Sequence, residues 1–507
     1  MSPVAIAQPD ALQVHASDGV AVALRALAAG ETVGVGGASV VLAQDIPQGH
    51  KFALRAHAAG EPVIKYGLQI GRTSRAIAAG EHVHVHNLAT ALEGECAYAA
   101  GSVSAARQPA ADTAEPTWQG YRRPDGRAAT RNEIWILPTV GCVGLTAERA
   151  ARAAQDRHSD LIAAGHIDGI VAFAHPHGCS QLGDDLAGTR ALLAGLAANP
   201  NAAGVLLLGL GCESNQLADL LAEIPETARA KVRTLSSQGA GDELAEAAVL
   251  VDELVAHASK AHRETLPLSA LVAGLKCGGS DGFSGLTANP LLGRFSDRLA
   301  ACGGTPVLTE IPEIFGAEEA LLGRAVDKPT FDAAAGLINR FKRYYLDQGL
   351  PVSENPSPGN IAGGITTLEE KSAGAVQKAG AATLTSVLDY GQQATAPGLA
   401  LLDAPGNDAV SSTALAAAGA TLVLFTTGRG TPLGFPVPTV KVASNRPLAL
   451  AKPHWIDFDA SCVLDEGAAA ADEAFLDAVL AIASGRRTAS ERSGQRAIAI
   501  WKKGVTL

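Results

Sequence analysis

The segment GEHVHVHNL, residues 80–88, contains three histidines at alternating positions. On a β-strand, every second residue points to the same face, with neighbouring Cα atoms roughly 6.5 to 7 Å apart. Imidazoles at that spacing can converge on one metal ion, for which histidine is a common ligand. The alternative is a histidine-rich, exposed strand face. We predict that these histidines and others in the same region form a metal site, with His15, His50, His82, His84 and His86 as the ligands. Asp18 is a further candidate ligand.

A second set of reactive residues follows apolar segments that have the pattern of buried strands. In open parallel sheets, ligands bind outside the carboxyl ends of the strands. Each cysteine taken alone is better explained as a small buried hydrophobe, whereas for the four together the two interpretations are balanced. Together they form the alternative ligand set, as thiolates for Fe(II) or an iron–sulfur cluster: Cys142, Cys179, Cys212 and Cys277.

Two residues are candidates for the general base. His175 lies at a strand end and belongs to the residue type that titrates near neutral pH. Lys371, in the segment EEKS, is the alternative if burial lowers its pKa.

The glycine-rich segment CGGSDGFSGLTANP, residues 277–290, is the densest polar loop of the chain. Pro290 suits a first helical position with Asn289 as the N-cap, and such a helix start binds anions. The spacing matches neither a P-loop nor GxGxxG, so we expect no nucleotide. Arg429, in FTTGRGTPLG, is either a carboxylate ligand or a surface arginine in a turn. The predicted substrate-binding residues are Ser280, Asp281, Ser284, Thr287, Asn289, Arg429 and Thr431.

Composition limits the partners that this chain can have. A net charge of −11 argues against nucleic acid, whose phosphates require clustered basic residues. No apolar run approaches 18 residues, and the N-terminus lacks the basic and apolar regions of a secretory signal, so we expect no membrane partner and a cytoplasmic location. Seven widely spaced cysteines are then free thiols or ligands. The sequence is compatible with a homo-oligomer.

The elements fall into an α/β multidomain organisation. Short strands separated by glycine turns predict a β-rich module over residues 1–97, and loss of periodicity predicts a linker over 98–119. Apolar strands alternating with helices then predict two α/β domains with mostly parallel sheets, over 120–265 and 266–507. No short-period repeat is evident.

Many segments in one order resemble the altronate and galactarate dehydratase family. They include QGHKFAL, VIKYGLQIG, GYRRPDGRAATRNEIWILPTVGCV, GLGCE, CGGSDGFSGLTANPLLGRFSD, NPSPGN, GGITTLEEKS, APGNDAV and FTTGRGTP. HVHVHN, CSQLGDD, PEIFGAE and the terminal GVTL are similar to the altronate branch, whereas the galactarate branch typically lacks the histidine triplet and retains the four strand-end cysteines. Ala375 replaces a cysteine usual in the altronate branch, and Pro176 and His177 replace the more usual Thr-Tyr.

The resemblance implies a fold, a reaction and a cofactor. The first module would have the SAF, or β-clip, fold. The reaction would convert D-altronate, a small-molecule sugar acid, to 2-keto-3-deoxy-D-gluconate and water with Fe(II) or Mn(II). The alternatives are a galactarate dehydratase and a non-catalytic sensor of sugar acids.

Overall fold

The computed structural model describes residues 9–99 and 115–507. Residues 100–114 of the predicted linker therefore lie outside the described residues. Thr117–Gln119, which we also assigned to the linker, instead begin a strand that continues to Arg122.

The N-terminal module consists of short antiparallel strands, as predicted. They form a four-stranded sheet in the order β1-β2-β5-β8, a hairpin of β3 and β4, and a three-stranded sheet in the order β6-β7-β9. Their bounds are β1 Ala11–Leu12, β2 Val20–Ala23, β3 Thr32–Val35, β4 Ala38–Val41, β5 Lys51–Ala53, β6 Pro62–Lys65, β7 Leu68–Thr73, β8 His82–Val83 and β9 Leu88–Ala89. Small apolar side chains such as Val20 and Val63 fill its interior.

The module contains a repeat, so our expectation of none was wrong. The sequence R-A-x-A-A-G-E occurs at residues 25–31, 55–61 and 75–81. In each copy the glutamate pairs with the arginine and accepts a hydrogen bond from a backbone N–H of the same turn. Each glycine has a φ near +80°, a conformation that glycine adopts without steric cost. The repeat is short and its intervals are unequal, which hides it from a search for a fixed period.

The second region has the predicted parallel sheet, in the order β13-β12-β14-β15. A separate antiparallel sheet joins β11, β10 and β16. The strands are β10 Thr117–Arg122, β11 Ala128–Ala129, β12 Glu133–Pro138, β13 Gly169–Ala172, β14 Ala202–Gly209, β15 Val232–Ser236 and β16 Glu264–Pro267. The helices are α1 Gly144–Arg157, α2 Ser159–Ala163, α3 Gly183–Ala198, α4 Leu217–Glu223, α5 Glu226–Arg229 and α6 Glu243–Ala258.

The third region is built on a seven-stranded parallel sheet in the order β19-β20-β18-β17-β21-β22-β23. Its strands are β17 Val272–Cys277, β18 Thr305–Leu308, β19 Leu384–Leu388, β20 Leu399–Leu402, β21 Leu422–Thr427, β22 Thr439–Ala443 and β23 Phe458–Asp459. Five of them correspond to segments whose apolar pattern predicts strands, ALVAGLKC, TPVLTE, ATLTSVLDY, LALLDAPG and LVLFTTG, whereas β22 and β23 were not predicted. The strand order reverses at β17, so the loop after Cys277 lies at the switch point where open sheets bind ligands.

Ten helices accompany this sheet within the described residues. They are α7 Ala288–Ala301, α8 Glu319–Leu322, α9 Lys328–Asp347, α10 Pro358–Ala362, α11 Leu368–Ala375, α12 Asp408–Ala417, α13 Arg446–Ala451, α14 Cys462–Asp465, α15 Ala468–Ala483 and α16 Ala489–Arg492. α12 packs on α3, and the two α/β regions share one buried apolar core, to which Trp135 and Phe425 contribute.

The β-module is fastened to α11 by a buried ion-pair network. Glu370 on α11 accepts hydrogen bonds from the ammonium groups of Lys51 at 2.7 Å and Lys65 at 2.8 Å. All three side chains are almost completely buried. Burial alone would raise the pKa of Glu370, but the two ammonium groups lower it to about 2. The neighbouring Glu369 accepts from the backbone N–H of Ala91 at 2.6 Å, so α11 is held at two successive residues.

We predict that Glu370→Gln strongly destabilises the protein, because it leaves two buried ammonium groups without a carboxylate. Removal of one partner from a buried ion pair costs about 3–5 kcal/mol. Urea titration at neutral pH should show a clear fall in the unfolding midpoint. Glu253→Gln, which removes the solvent-exposed partner of Arg233, is the control and should leave the midpoint unchanged.

The difference in stability between wild type and Glu370→Gln should also depend on pH. Because the folded-state pKa of Glu370 lies below its ordinary value of 4.5, its contribution is complete above that value and is lost as the pH falls towards about 2. The stability gap between wild type and Glu370→Gln should therefore narrow below pH 4.5. A gap that stays constant there would contradict the assignment.

Candidate functional site

Three histidines of the β-module lie close together where the module contacts the third region. Nδ1 of His50 and Nε2 of His82 lie 3.0 Å apart, and the ring centroid of His84 is 4.9 Å from that of His50 and 5.3 Å from that of His82. Each of the three offers a ring nitrogen within 4.8 Å of the others. His82 is on β8, opposite Phe52 of β5, and His50 directly precedes β5. Strand pairing therefore brings together histidines that are distant in sequence.

The predicted alternation of three histidines on one strand is wrong, because β8 ends at Val83. The side chain of Asn87 closes a turn: its Oδ1 accepts from the N–H of His84 at 2.9 Å and its Nδ2 donates to the carbonyl of His82 at 2.9 Å. This turn directs His84 towards His50. His86 is exposed, with its ring centroid 5.5 Å from that of His82.

His15 lies apart from this group. It is exposed, and its Nδ1 is 2.7 Å from the hydroxyl of Ser17. Asp18 is also outside the group, because its carboxylate accepts from the backbone N–H groups of His15 and Gly67, both at 2.9 Å. The structure therefore gathers three of the five predicted histidines into one possible ligand set.

The three rings have the electrostatics of metal ligands. Burial and the neighbouring positive charges lower the pKa of His82 to about 3 and that of His84 to about 4, and burial also lowers the pKa of His50. The imidazoles are therefore neutral at neutral pH, the form that binds metal ions.

The outer ring nitrogens are held by partners from the third region. Nδ1 of His84 is 3.0 Å from the hydroxyl of Thr366, and Nε2 of His50 is 3.4 Å from the carbonyl of Ala362. Such outer contacts orient metal-binding histidines. The donor set consequently fits a divalent transition-metal ion.

A small polar cavity, with room for about one water molecule, lies beside the Glu370 ion-pair network, between the β-module and the third region. Tyr66 and Glu370 form part of its wall. The other residues that line it come from the loop after β17, the first turn of α7, the segment before α11 and α11 itself: Ser280, Asp281, Ser284, Gly285, Asn289, Ile365, Lys371 and Gly374. Four of the seven predicted substrate-binding residues therefore meet in one cavity.

Most of the polar side chains in the loop after β17 are engaged in holding its shape. Asp281 accepts hydrogen bonds from the hydroxyl groups of Ser284 and Ser444, at 2.9 and 2.8 Å, and from Nδ2 of Asn445 at 2.8 Å. By contrast, the hydroxyl of Ser280 makes no hydrogen bond to the described part of the chain, although the residue is only 4% exposed. Ser280 is thus the member of the loop best placed to bind a ligand hydroxyl.

The predicted helix start at Asn289 was also wrong. Helix α7 begins at Ala288, and Asn289 uses its side chain elsewhere: Nδ2 donates to the carbonyl of Gly374 at 2.9 Å, and Oδ1 accepts from Thr426 at 2.7 Å. Thr287 donates to the carbonyl of Ser444 at 2.7 Å. Both residues therefore tie the loop to its neighbours.

Arg429 and Thr431 do not belong to the cavity wall. Arg429 is exposed, and its only hydrogen bond to the described residues is to the carbonyl of Gly359 at 3.5 Å. The backbone carbonyl of Thr431 accepts from Lys441 at 2.9 Å.

Lys371 lines the cavity, but our premise that its pKa falls is wrong. Burial favours the neutral amine, yet the carboxylate of Glu313, 2.8 Å away, outweighs this and raises the pKa of Lys371. Lys371 is therefore an ammonium group at neutral pH. This pairing cannot be read from the sequence, because Glu313 lies in a short 3-10 helix far from Lys371 along the chain.

Cys277 differs from the other three strand-end cysteines in its surroundings. It is buried, its Sγ is 2.8 Å from the ammonium group of Lys378 and 3.0 Å from Glu313, and burial raises the pKa of its thiol. Although Cys277 lies with Glu310 and Glu313 in a group of suitable ligand types, Lys276 and Lys378 already occupy the space around the carboxylate of Glu310. This cluster is a closed ion-pair network.

His175 lies in the second region and does not line the cavity. Its Nε2 donates to the carbonyl of Pro138 at 2.8 Å, and its Nδ1 accepts from the N–H of His177 at 3.2 Å. Burial lowers its pKa to about 4. Because both ring nitrogens are hydrogen-bonded within the chain, the side chain of His175 holds the loop after β13 against the end of β12.

Comparison with known families assigns each region of the chain. The family model "Altronate/galactarate dehydratase SAF domain" matches residues 9–91, and "D-galactarate dehydratase/Altronate hydrolase, second domain" matches residues 120–259. The model "D-galactarate/Altronate dehydratase, C-terminal" matches residues 268–506.

Individual relatives extend over nearly the whole chain. An altronate dehydratase of Escherichia coli is 48% identical and one of Bacillus subtilis 46% identical, each over 98% of this chain and 99% of the relative. A galactarate dehydratase (L-threo-forming) of Escherichia coli is 32% identical over 88% of this chain and 86% of the relative.

We predict that His84→Ala lowers the affinity for Mn(II) by more than the 10–100-fold typical of losing an outer-shell partner. The reason is that the substitution removes one of three convergent ring nitrogens. Isothermal titration calorimetry of EDTA-stripped protein measures the change. His15→Ala is the matched control and should bind as wild type does, whereas equal losses in both variants would contradict the assignment.

Proposed function

This chain belongs to the altronate and galactarate dehydratase family, and we propose that it removes water from D-altronate to give 2-keto-3-deoxy-D-gluconate. The observation that carries the proposal is a histidine cluster and a polar cavity that meet at the same segment, residues 360–371, in a chain related to altronate dehydratases over 98% of its length.

The reaction imposes two chemical requirements. A proton next to an ionised carboxylate is weakly acidic, and hydroxide is a poor leaving group. The enzyme therefore needs positive charge where the enediolate develops, together with positioned groups that transfer protons.

We assign the metal to His50, His82 and His84, with Fe(II) or Mn(II) as the ion. When bound, such an ion supplies Lewis acidity that stabilises developing negative charge and polarises the departing hydroxyl. The neutral rings and their outer contacts with Thr366 and Ala362 support this assignment.

The third region supplies the proton donor among these groups and a substrate-binding hydroxyl. The ammonium group of Lys371, kept charged by Glu313, is a proton donor on the cavity wall for the hydroxyl that leaves C3. The unengaged hydroxyl of Ser280 binds a substrate hydroxyl. Burial of the cavity between the two parts strengthens both interactions, because it limits competition from water.

The proposal favours altronate over galactarate as the substrate. Identity to the altronate dehydratases is 46–48%, against 32% to the galactarate enzyme. Galactarate also carries a second carboxylate, which needs a second cation, and among the described residues the only ammonium group on the cavity wall is that of Lys371.

We further propose that the enzyme works in the cytoplasm. All seven cysteines are free, which suits a reducing compartment. Within the described residues, every helix is too short or too polar to span a bilayer.

The test is keto-acid formation from D-altronate and from galactarate by anaerobic, EDTA-stripped protein re-supplied with Fe(II) or Mn(II). We expect metal-dependent turnover of altronate, and a fall in kcat of roughly 10²–10⁴-fold in Lys371→Met, the range for loss of a general acid. Lys328→Met, at an exposed lysine, is the control and should keep wild-type turnover.

Two results would contradict the proposal. Turnover of galactarate in place of altronate would assign the sister activity. Binding of altronate without turnover under any metal would indicate a sensor of sugar acids.

A further inference from the structure

Three cysteines of the second region share a local sequence that the other four lack. Cys142, Cys179 and Cys212 each directly follow a glycine, whereas Cys96, Cys277, Cys302 and Cys462 follow other residues. All three are exposed and unpaired. The function proposed above uses none of them.

The three Gly-Cys pairs lie at one edge of the second region's sheet. The strand order reverses at β12, which is flanked by β13 and β14. Cys142 follows β12, Cys179 follows β13 and Cys212 follows β14. The thiols therefore surround the switch point of this sheet, where open α/β sheets bind ligands, and neighbouring strands there are about 4.8 Å apart.

Hydrogen bonds fix the three loops against one another next to each cysteine. The N–H of Gly141 donates to the carbonyl of His177 at 2.8 Å, and the N–H of Asn215 donates to the carbonyl of Gly178 at 2.9 Å. The hydroxyl of Thr139 donates to Glu213, the residue after Cys212, at 2.6 Å. The positions of the thiols are thus set by contacts between loops.

The glycines are required by this packing. Gly178 has a φ of +100°, and a Cβ at that position would overlap the carbonyl oxygen of Thr139. Gly211 has a φ of +130°. His175, in the loop after β13, adds another hydrogen bond between the loops, because its Nε2 donates to the carbonyl of Pro138 at the end of β12. Close approach of three loops that each present an exposed thiol is what a shared ligand requires.

We propose that Cys142, Cys179 and Cys212 bind an iron–sulfur cluster, separate from the histidine site, with one iron open to a ligand from outside the chain. Within the described residues, the three sulfur atoms do not all lie within 4.8 Å of one another, the separation that suits a single ion. A structural zinc site would also need a fourth ligand. Cysteine thiolates are the usual ligands of iron–sulfur clusters, and a cluster bridges wider sulfur separations than one ion does.

The test uses the full chain, reconstituted under anaerobic conditions with Fe(III), dithiothreitol as the reductant, and sulfide. We expect bound acid-labile sulfide and a broad visible absorption from thiolate-to-iron charge transfer. Cys142→Ser, Cys179→Ser and Cys212→Ser should each lose most of both signals. Because the thiols are exposed, these variants should keep the wild-type circular dichroism spectrum.

Two matched controls separate this site from others. Cys96→Ser removes an exposed thiol that lies elsewhere, and His84→Ala removes a ligand of the histidine site; both should retain the sulfide and the absorption. The proposal is overturned by absence of bound sulfide in wild type, by one metal ion bound without sulfide, or by retention of the cluster in the three serine variants. None of these readouts depends on dehydratase activity.

Discussion

One buried carboxylate holds the two halves of the candidate site together. Glu370, on α11 of the third region, accepts from two lysines of the β-module, and all three side chains are removed from solvent. Lys51 follows directly after His50, and its ammonium group also donates to the hydroxyl of Thr366, which contacts His84. The geometry of the histidine cluster therefore depends on where Glu370 holds the β-module.

This arrangement divides the chemistry between two parts of the chain. The module contributes the imidazoles, and the third region contributes the cavity wall, the ammonium group of Lys371 and the loop after β17. Burying so many charges carries a desolvation cost, and such networks do not by themselves make a protein more stable than apolar packing would. Their directional contacts instead give one relative orientation of the two parts, which an apolar interface would specify less strictly.

The sequence predicted the features that depend on local pattern. Short strands separated by glycine turns identified the β-module, and apolar runs alternating with helices identified the parallel sheets. Strand ends identified the loop that contains Ser280 and Asp281. Strand β22 was missed because no helix separates it from β21, and β23 because it has only two residues. The turn at Asn87 was missed because one asparagine side chain ends a strand that the alternation of residues would otherwise continue.

Long-range pairing accounts for the remaining differences. His50 was one candidate among several until β5 and β8 were seen to pair. The pKa of Lys371 is raised by Glu313, and the pKa of Glu370 is lowered by Lys51 and Lys65. These partners are distant in sequence, so they cannot be identified from the residues next to Lys371 or Glu370. In both cases the residue type was visible in the sequence and its protonation state was not.

The most direct test of the central claim, that the histidines of the docked β-module hold the divalent metal, is manganese-edge X-ray absorption on the Mn(II)-loaded protein. The account predicts nitrogen and oxygen neighbours with the outer-shell scattering of imidazole rings, and a weaker imidazole signal in His82→Ala, which keeps His50 and His84. Sulfur neighbours, or an unchanged spectrum in that variant, would contradict it.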